Sequence, residues 1–179
     1  MKEAKSKNHD KILDLIKKAG DSENYETFWD EEGVPKIKSK ENVERGKKSR
    51  ASGLQFETRV REDLQKMGWI VDKWMNTVDY EKGLLVPAKR KFNPYKKVMV
   101  IGTGFPDFVA FSPSDSENKE IIGVEVKSTG YLDKIEKGMC LWLLENKIFS
   151  KILIAKKTKD GRRITVSYDD FEVKYSNKT

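Results

Sequence analysis

Apolar positions along this chain recur with two periods, and the switches between them divide it into elements. In residues 8–19, "NHDKILDLIKKA", Ile12, Leu13, Leu15 and Ile16 fall on one side of a helix, and Gly20 follows as a stop. A second helical stripe, Phe56, Val60, Leu64 and Met67, runs through "SGLQFETRVREDLQKMGW". Ser52 with Gln55 has the form of a capping box ahead of it, and Gly68 fits its C-terminal stop. "WIVDKWM" (69–75) then predicts a strand, and residues 76–97 a long irregular hairpin. Strands are predicted near 98–101, 106–111 and 120–127. A helix over about 132–146 carries Leu132, Ile135, Met139, Trp142 and Leu143 at helical spacing. "KILIAKK" (151–157) and "RRITVSY" (162–168) finish as strands joined by the turn "TKDG". This order predicts an α/β fold, a mixed central β-sheet flanked by helices.

Charge refines the picture. The 179 residues carry a net charge of +7, which suits a polyanionic partner. Residues 21–32 hold six acids and no base, while residues 36–50 hold seven bases against Glu41 and Glu44. With so few apolar residues, this stretch is expected to be a mobile or extended arm. The expected division is therefore an N-terminal helix and charged arm over 1–49 and a core domain over 50–179. No apolar run approaches the roughly 18 residues of a membrane span, and "MKEAKSKNHDK" lacks the apolar stretch of a secretory signal. The expected location is cytoplasmic, in a nucleoid or a host-cell cytoplasm. Cys140 is the single cysteine, in the apolar run "GMCLWLL", and reads as a buried core thiol. His9 is the single histidine and stands near the start of the chain. A core chemistry built on two His ligands, or on a Ser-His or Cys-His pair, is thereby excluded. Carboxylates and lysines remain.

They are concentrated in "TGFPDFVAF" (103–111) and "IIGVEVKS" (121–128), two apolar runs interrupted by charge. Charge in a buried strand is costly unless paired or bound to a metal. The intervening "SPSDSENK" is rich in turn residues. Centring a hairpin there opposes Phe111 with Ile121, Val109 with Gly123 and Asp107 with Glu125. Directly opposed residues share a face, with β-carbons roughly 4.5–5.5 Å apart. Lys127 emerges on that face beside Glu125, and Val126 points into the other layer. Pro106 has no amide donor and suits a strand start, which frees the Asp107 side chain. An oxygen-rich cup with an ammonium on its rim suits a hard divalent cation such as Mg²⁺. The alternative is an ordinary Glu125–Lys127 surface ion pair with Asp107 beginning a turn.

"FPD" at 105–107 followed by "EVK" at 125–127 resembles the PD-(D/E)xK nuclease superfamily, which includes restriction endonucleases, archaeal Holliday-junction resolvases and viral or plasmid nucleases. The resemblance spans residues 50–157 and implies a restriction-endonuclease-like core. It implies Asp107, Glu125 and the Val126 carbonyl as ligands of Mg²⁺, with Mn²⁺ as a substitute. It implies Glu57, on the helix preceding the sheet, as a further catalytic residue, with Asp63 competing for that role, and Lys127 as the catalytic lysine. The later helix carries Lys134, Glu136 and Lys137 where the family often has a Gln or Lys, and the choice among them stays open. The activity implied is Mg²⁺-dependent hydrolysis of DNA phosphodiesters, as an endonuclease on duplex or branched DNA. The alternative is a non-catalytic DNA-binding module on the same fold. Members related to resolvases work as dimers, so the expectation admits a homodimer. Lys47, Lys48 and Arg50 in the arm, with Lys89, Arg90, Lys91, Lys96 and Lys97 in the basic hairpin, are the expected phosphate contacts. Phe92 and Tyr95 are interleaved with the hairpin bases.

Overall fold

A computed structural model describes residues 2–29, 33–93, 98–101, 104–112, 119–161 and 163–175; for 2–8, 90–93 and 98–101 it describes the backbone alone. The chain divides into two compact units, Met1–Leu54 and Gln55–Thr179. No helix among the described residues is long and apolar enough to cross a membrane.

The first unit contains α1 (Lys2–Gly20), an antiparallel hairpin of β1 (Tyr25–Trp29) and β2 (Pro35–Ser39), and the start of α2 (Lys40–Lys66). The expected mobile or extended arm is therefore regular structure, paired as a hairpin. Across it Glu26 opposes Lys38, and Phe28 opposes Lys36. The Lys38 ammonium also lies 5.2 Å from the centre of the Phe28 ring. Helix α2 begins twelve residues before the expected Ser52 cap. Ser39 Oγ accepts the Asn42 N–H at 3.2 Å, the bond of an N-cap to the third helical residue. Polar α-helix formers carry the helix through Gly46 and Gly53.

The second unit contains the rest of α2, then β3 (Ile70–Lys73), β4 (Asn76–Asp79), β5 (Leu84–Pro87), β6 (Arg90–Asn93), β7 (Val98–Ile101), β8 (Phe108–Phe111), β9 (Ile121–Val126), α3 (Lys134–Glu145), β10 (Lys151–Asp160), β11 (Arg163–Asp170) and α4 (Phe171–Tyr175). Gly68 ends α2 as expected: it adopts φ 90°, and Trp69 N–H returns to the Leu64 carbonyl at 3.0 Å. The predicted single hairpin over 76–97 is instead β4 paired with β5, followed by β6 paired with β7. The central sheet is mixed and five-stranded, in the order β11-β10-β9-β8-β3. Only the β9–β10 pair is parallel, with α3 in the connection between them.

Apolar clusters cover both faces of that sheet. On one, α2 sets Phe56, Val60 and Leu64 against Val71, Phe108, Ala110, Ile122 and Val124. On the other, α3 sets Cys140 and Leu143 against Val109, Ile152, Ile154 and Phe149. Fully burying each large side chain contributes about 1.5–3 kcal/mol, so the two clusters fix the strand faces firmly. The alternation along β9 puts Ile122, Val124 and Val126 toward α2 and leaves Gly123, Glu125 and Lys127 on the α3 side. Cys140 is fully buried, as its apolar setting predicts.

Candidate active site

The β8–β9 register is the one centred on the turn segment: Phe111 opposes Ile121, Val109 opposes Gly123, and Phe108 opposes Val124. The ladder stops there, one residue short of Asp107 and Glu125. Strand β8 can start there because of Gly104 and Pro106. A β-carbon on Gly104 would stand 2.5 Å from the carbonyl oxygens of both Trp74 and Asn76, so only glycine lets the chain pass this close. Phe105 N–H then donates to the Asn76 carbonyl at 2.9 Å, and Pro106 is fully buried.

Beyond the last backbone pair, the two carboxylates continue the contact themselves. Val126 N–H donates to Asp107 Oδ2 at 2.9 Å, and Asp107 N–H donates to Glu125 Oε2 at 3.2 Å. Each acid is thus anchored on the other's strand. Glu125 is 5% exposed. Its burial, then the Asp107 charge, push its pKa up to about 8 despite Lys127 beside it. Asp107 is also raised, chiefly by burial; the Val126 N–H pulls it back, the Glu57 charge adds to the rise, and Lys73 and Lys127 oppose it.

Lys127 Nζ stands 3.2 Å from Glu125 Oε1 and 2.5 Å from Glu136 Oε1. Burial disfavours its charge, but Glu136 and Glu125 outweigh that, and the ammonium is held above its ordinary value. Of Lys134, Glu136 and Lys137, it is Glu136 that bonds Lys127. Its other oxygen accepts the Asp133 N–H at 3.0 Å, while Asp133 caps the helix through Glu136 N–H at 2.8 Å. One residue therefore holds both the lysine and the start of α3. Beneath them the Cys140 thiol is pushed up by burial and by the charges of Glu125 and Glu136, so it stays protonated.

Glu57 comes from α2, on the face opposite to Glu125, and its charge is felt at Asp107. Its Oε2 accepts a bond from Lys73 Nζ at 2.9 Å. Lys73 was not singled out by sequence reasoning; it pairs with Phe108 in the β3–β8 ladder and lies 5.6 Å from that ring's centre. Asp63 accepts the Tyr168 hydroxyl at 2.9 Å, on the β11 side of the sheet. Val126 packs in the α2-side cluster, with its amide committed to Asp107. Among the described residues, no three His, Cys, Asp or Glu side chains converge to hold a metal ion. The two facing acids nonetheless form a donor set that Mg²⁺ accepts, since it binds through one or two carboxylates and fills the remaining positions with water or phosphate oxygen.

Of the expected phosphate contacts, Lys47, Lys48 and Arg50 are exposed on α2 in the first unit, and Lys89 is exposed after β5. The side chains of Arg90, Lys91 and Phe92, and all of Tyr95, Lys96 and Lys97, lie outside the described residues. A surface groove of about 410 Å³ lined by Ile121, Leu144 and Phe149 lies at the opposite end of β9 and contains none of the site's acids or lysines. No family model, curated protein or solved structure matches the chain.

Proposed function

We propose that this protein is a Mg²⁺-dependent nuclease that hydrolyses DNA phosphodiester bonds on a restriction-endonuclease-like core, in the manner of the PD-(D/E)xK enzymes. One observation carries the reading: two neighbouring acids, Glu125 buried and Asp107 half-buried, meet at a strand end with Lys127 3.2 Å from Glu125. Withdrawing two like charges from water side by side is unfavourable for folding, so the arrangement calls for a cation as its counterpart.

Asp107 and Glu125 would hold Mg²⁺, with Mn²⁺ as a substitute. When bound, the ion supplies Lewis-acid polarisation of a phosphoryl oxygen and a more acidic water. Lys127 is the group placed to donate to a non-bridging phosphate oxygen as charge builds there. Glu136 fixes its direction from the helix cap, so little reorganisation is left for the moment of reaction. In the overall change, a water oxygen bonds to phosphorus, one P–O ester bond breaks, and the leaving oxygen takes up a proton.

The exposed bases of α2 and Lys89 would contact phosphates, a sequence-independent and salt-sensitive contribution. A second reading, a DNA-binding module without catalysis, draws on one feature: Glu125 and Glu136 both occupy the Lys127 ammonium. The deciding experiment offers junction, flap, duplex and single-stranded DNA with and without Mg²⁺. Metal-dependent cleavage of any of them supports the nuclease. Binding without cleavage in either metal supports the module.

A further inference from the structure

We propose that Lys73 is a phosphate-contacting cation at the Asp107 end of the site, and that Glu57 serves to position Lys73 instead of ligating the metal. The inference rests on the nuclease reading for its substrate, but its geometry is independent of it. Glu57 leaves α2 on one face of the central sheet, whereas Asp107 and Glu125 stand on the other. At the start of β8, beyond the last ladder pair, the two sides meet: the Glu57 charge is felt at Asp107, but its carboxylate is taken by a partner of its own. That partner is Lys73, at 2.9 Å.

Lys73 is well placed to serve a substrate. It belongs to the edge strand β3 and is opposed to Phe108, the residue after Asp107. The next residue, Trp74, donates its N–H to the Asp107 carbonyl at 3.2 Å, which ties β3 to the strand end. Its side chain remains 40% exposed, although Glu57 and the Phe108 ring hold it. An ion pair this open contributes little to stability, about 0–1 kcal/mol. Its geometric effect is larger: a flexible four-carbon stem is restrained to one direction beside the acids. Lys73 and Lys127 then bracket the two carboxylates from opposite faces of the sheet. A phosphodiester strand crossing the end of β8 would meet an ammonium on each side.

The test uses Lys73→Met, Glu57→Gln, their combination and Lys73→Arg in the full chain, with melting curves to show that each folds. The probes are a labelled DNA duplex in EDTA, whose affinity is followed against salt, and Mn²⁺ alone, followed by its electron paramagnetic resonance. Lys73→Met should lower the log–log salt slope by about 0.9, equivalent to about eightfold in affinity at 0.1 M salt, and Lys73→Arg should retain it. Glu57→Gln should leave Mn²⁺ affinity unchanged. It should lower kcat/KM in the wild-type background but not when Lys73 is already Met, because its action runs through the lysine. If Glu57→Gln weakened Mn²⁺ binding, Glu57 would be a ligand and the proposal would fall. An unchanged salt slope in Lys73→Met would also overturn it, whether or not the wild type cleaves. A wild type that binds DNA with the expected slope but never cuts would remove the nuclease reading and leave the Lys73 contact standing.

Discussion

Replacing Glu125 with Gln should stabilise the protein in the absence of divalent metal, and the gain should grow with pH. Glu125 has a folded-state pKa raised from 4.5 to about 8, so the folded chain holds its proton more tightly than the unfolded chain does. Losing that proton is therefore a cost to folding. The cost is absent below the unfolded value, accumulates between pH 4.5 and 8, and is complete above that. Taken at face value the shift corresponds to about 5 kcal/mol. Side-chain movement and water entry lessen such penalties, so an effect of about 2 kcal/mol is expected. Gln keeps the shape and the oxygen that accepts the Asp107 N–H, and it removes the charge that faces Asp107. Lys127 retains Glu136 as its partner. At roughly 2–4 °C per kcal/mol, the variant should melt about 4–8 °C above wild type at pH 8.5 and within about 2 °C of it at pH 4.5. Scanning calorimetry in EDTA across that range measures both curves. A difference that does not vary with pH, or a variant that melts below wild type at pH 8.5, would refute the claim that the two acids repel each other.

The remaining expectations concern the same end of the sheet. Asp107→Ala and Glu125→Ala should each abolish Mg²⁺-dependent cleavage while near-ultraviolet circular dichroism stays native; wild-type rates in either would exclude the assigned acids. Lys127→Ala should lower kcat much more than it weakens DNA binding, because the ammonium acts on charge that appears in the transition state; an unchanged kcat with a raised KM would make it a clamp. Glu136→Gln should lower kcat in the same sense but less, while urea melts show stability nearly unchanged, because Gln keeps the oxygen that accepts the Asp133 N–H of the α3 cap. Gly104→Ala should cost about 3 kcal/mol or prevent folding, since its β-carbon would meet the Trp74 and Asn76 carbonyl oxygens at 2.5 Å; a soluble variant with an unchanged melting point would contradict that packing.

The β8–β9 register was legible in the sequence because local signals agree there. Turn residues mark the centre, and the apolar alternation of 108–111 and 121–126 specifies the faces. Residues beyond the end of the ladder then follow by parity, which is why Asp107 and Glu125 were found. The charged stretch reads as an extended arm because few apolar residues mark it, whereas its β1–β2 pairing joins residues up to 14 apart, such as Tyr25 and Ser39, that no short window contains. The same limit applies to Ser39: its role as the α2 cap depends on where β2 ends. Lys73 was missed for a different reason. Its register against Phe108 joins segments 35 residues apart through β3–β8 pairing, and nothing local announces that pairing. Glu136 lies between these cases. Its capping-box spacing to Asp133 is local, but its bond to Lys127 requires the α3 cap to rest against the end of β9.

On the nuclease reading, these contacts also favour a divalent ion over another lysine as the counterpart of the acids. Asp107, Glu125, Glu57 and Glu136 supply up to four negative charges around the end of β8 and β9, against two from Lys73 and Lys127. The deficit is two charges, and it falls on Asp107 and Glu125, because Glu57 and Glu136 have close ammonium partners. Protonating Glu125 removes one of them, which is what its pKa near 8 expresses. A third lysine would remove only one more. A compact dication would balance both charges and still offer positions to water and phosphate oxygen.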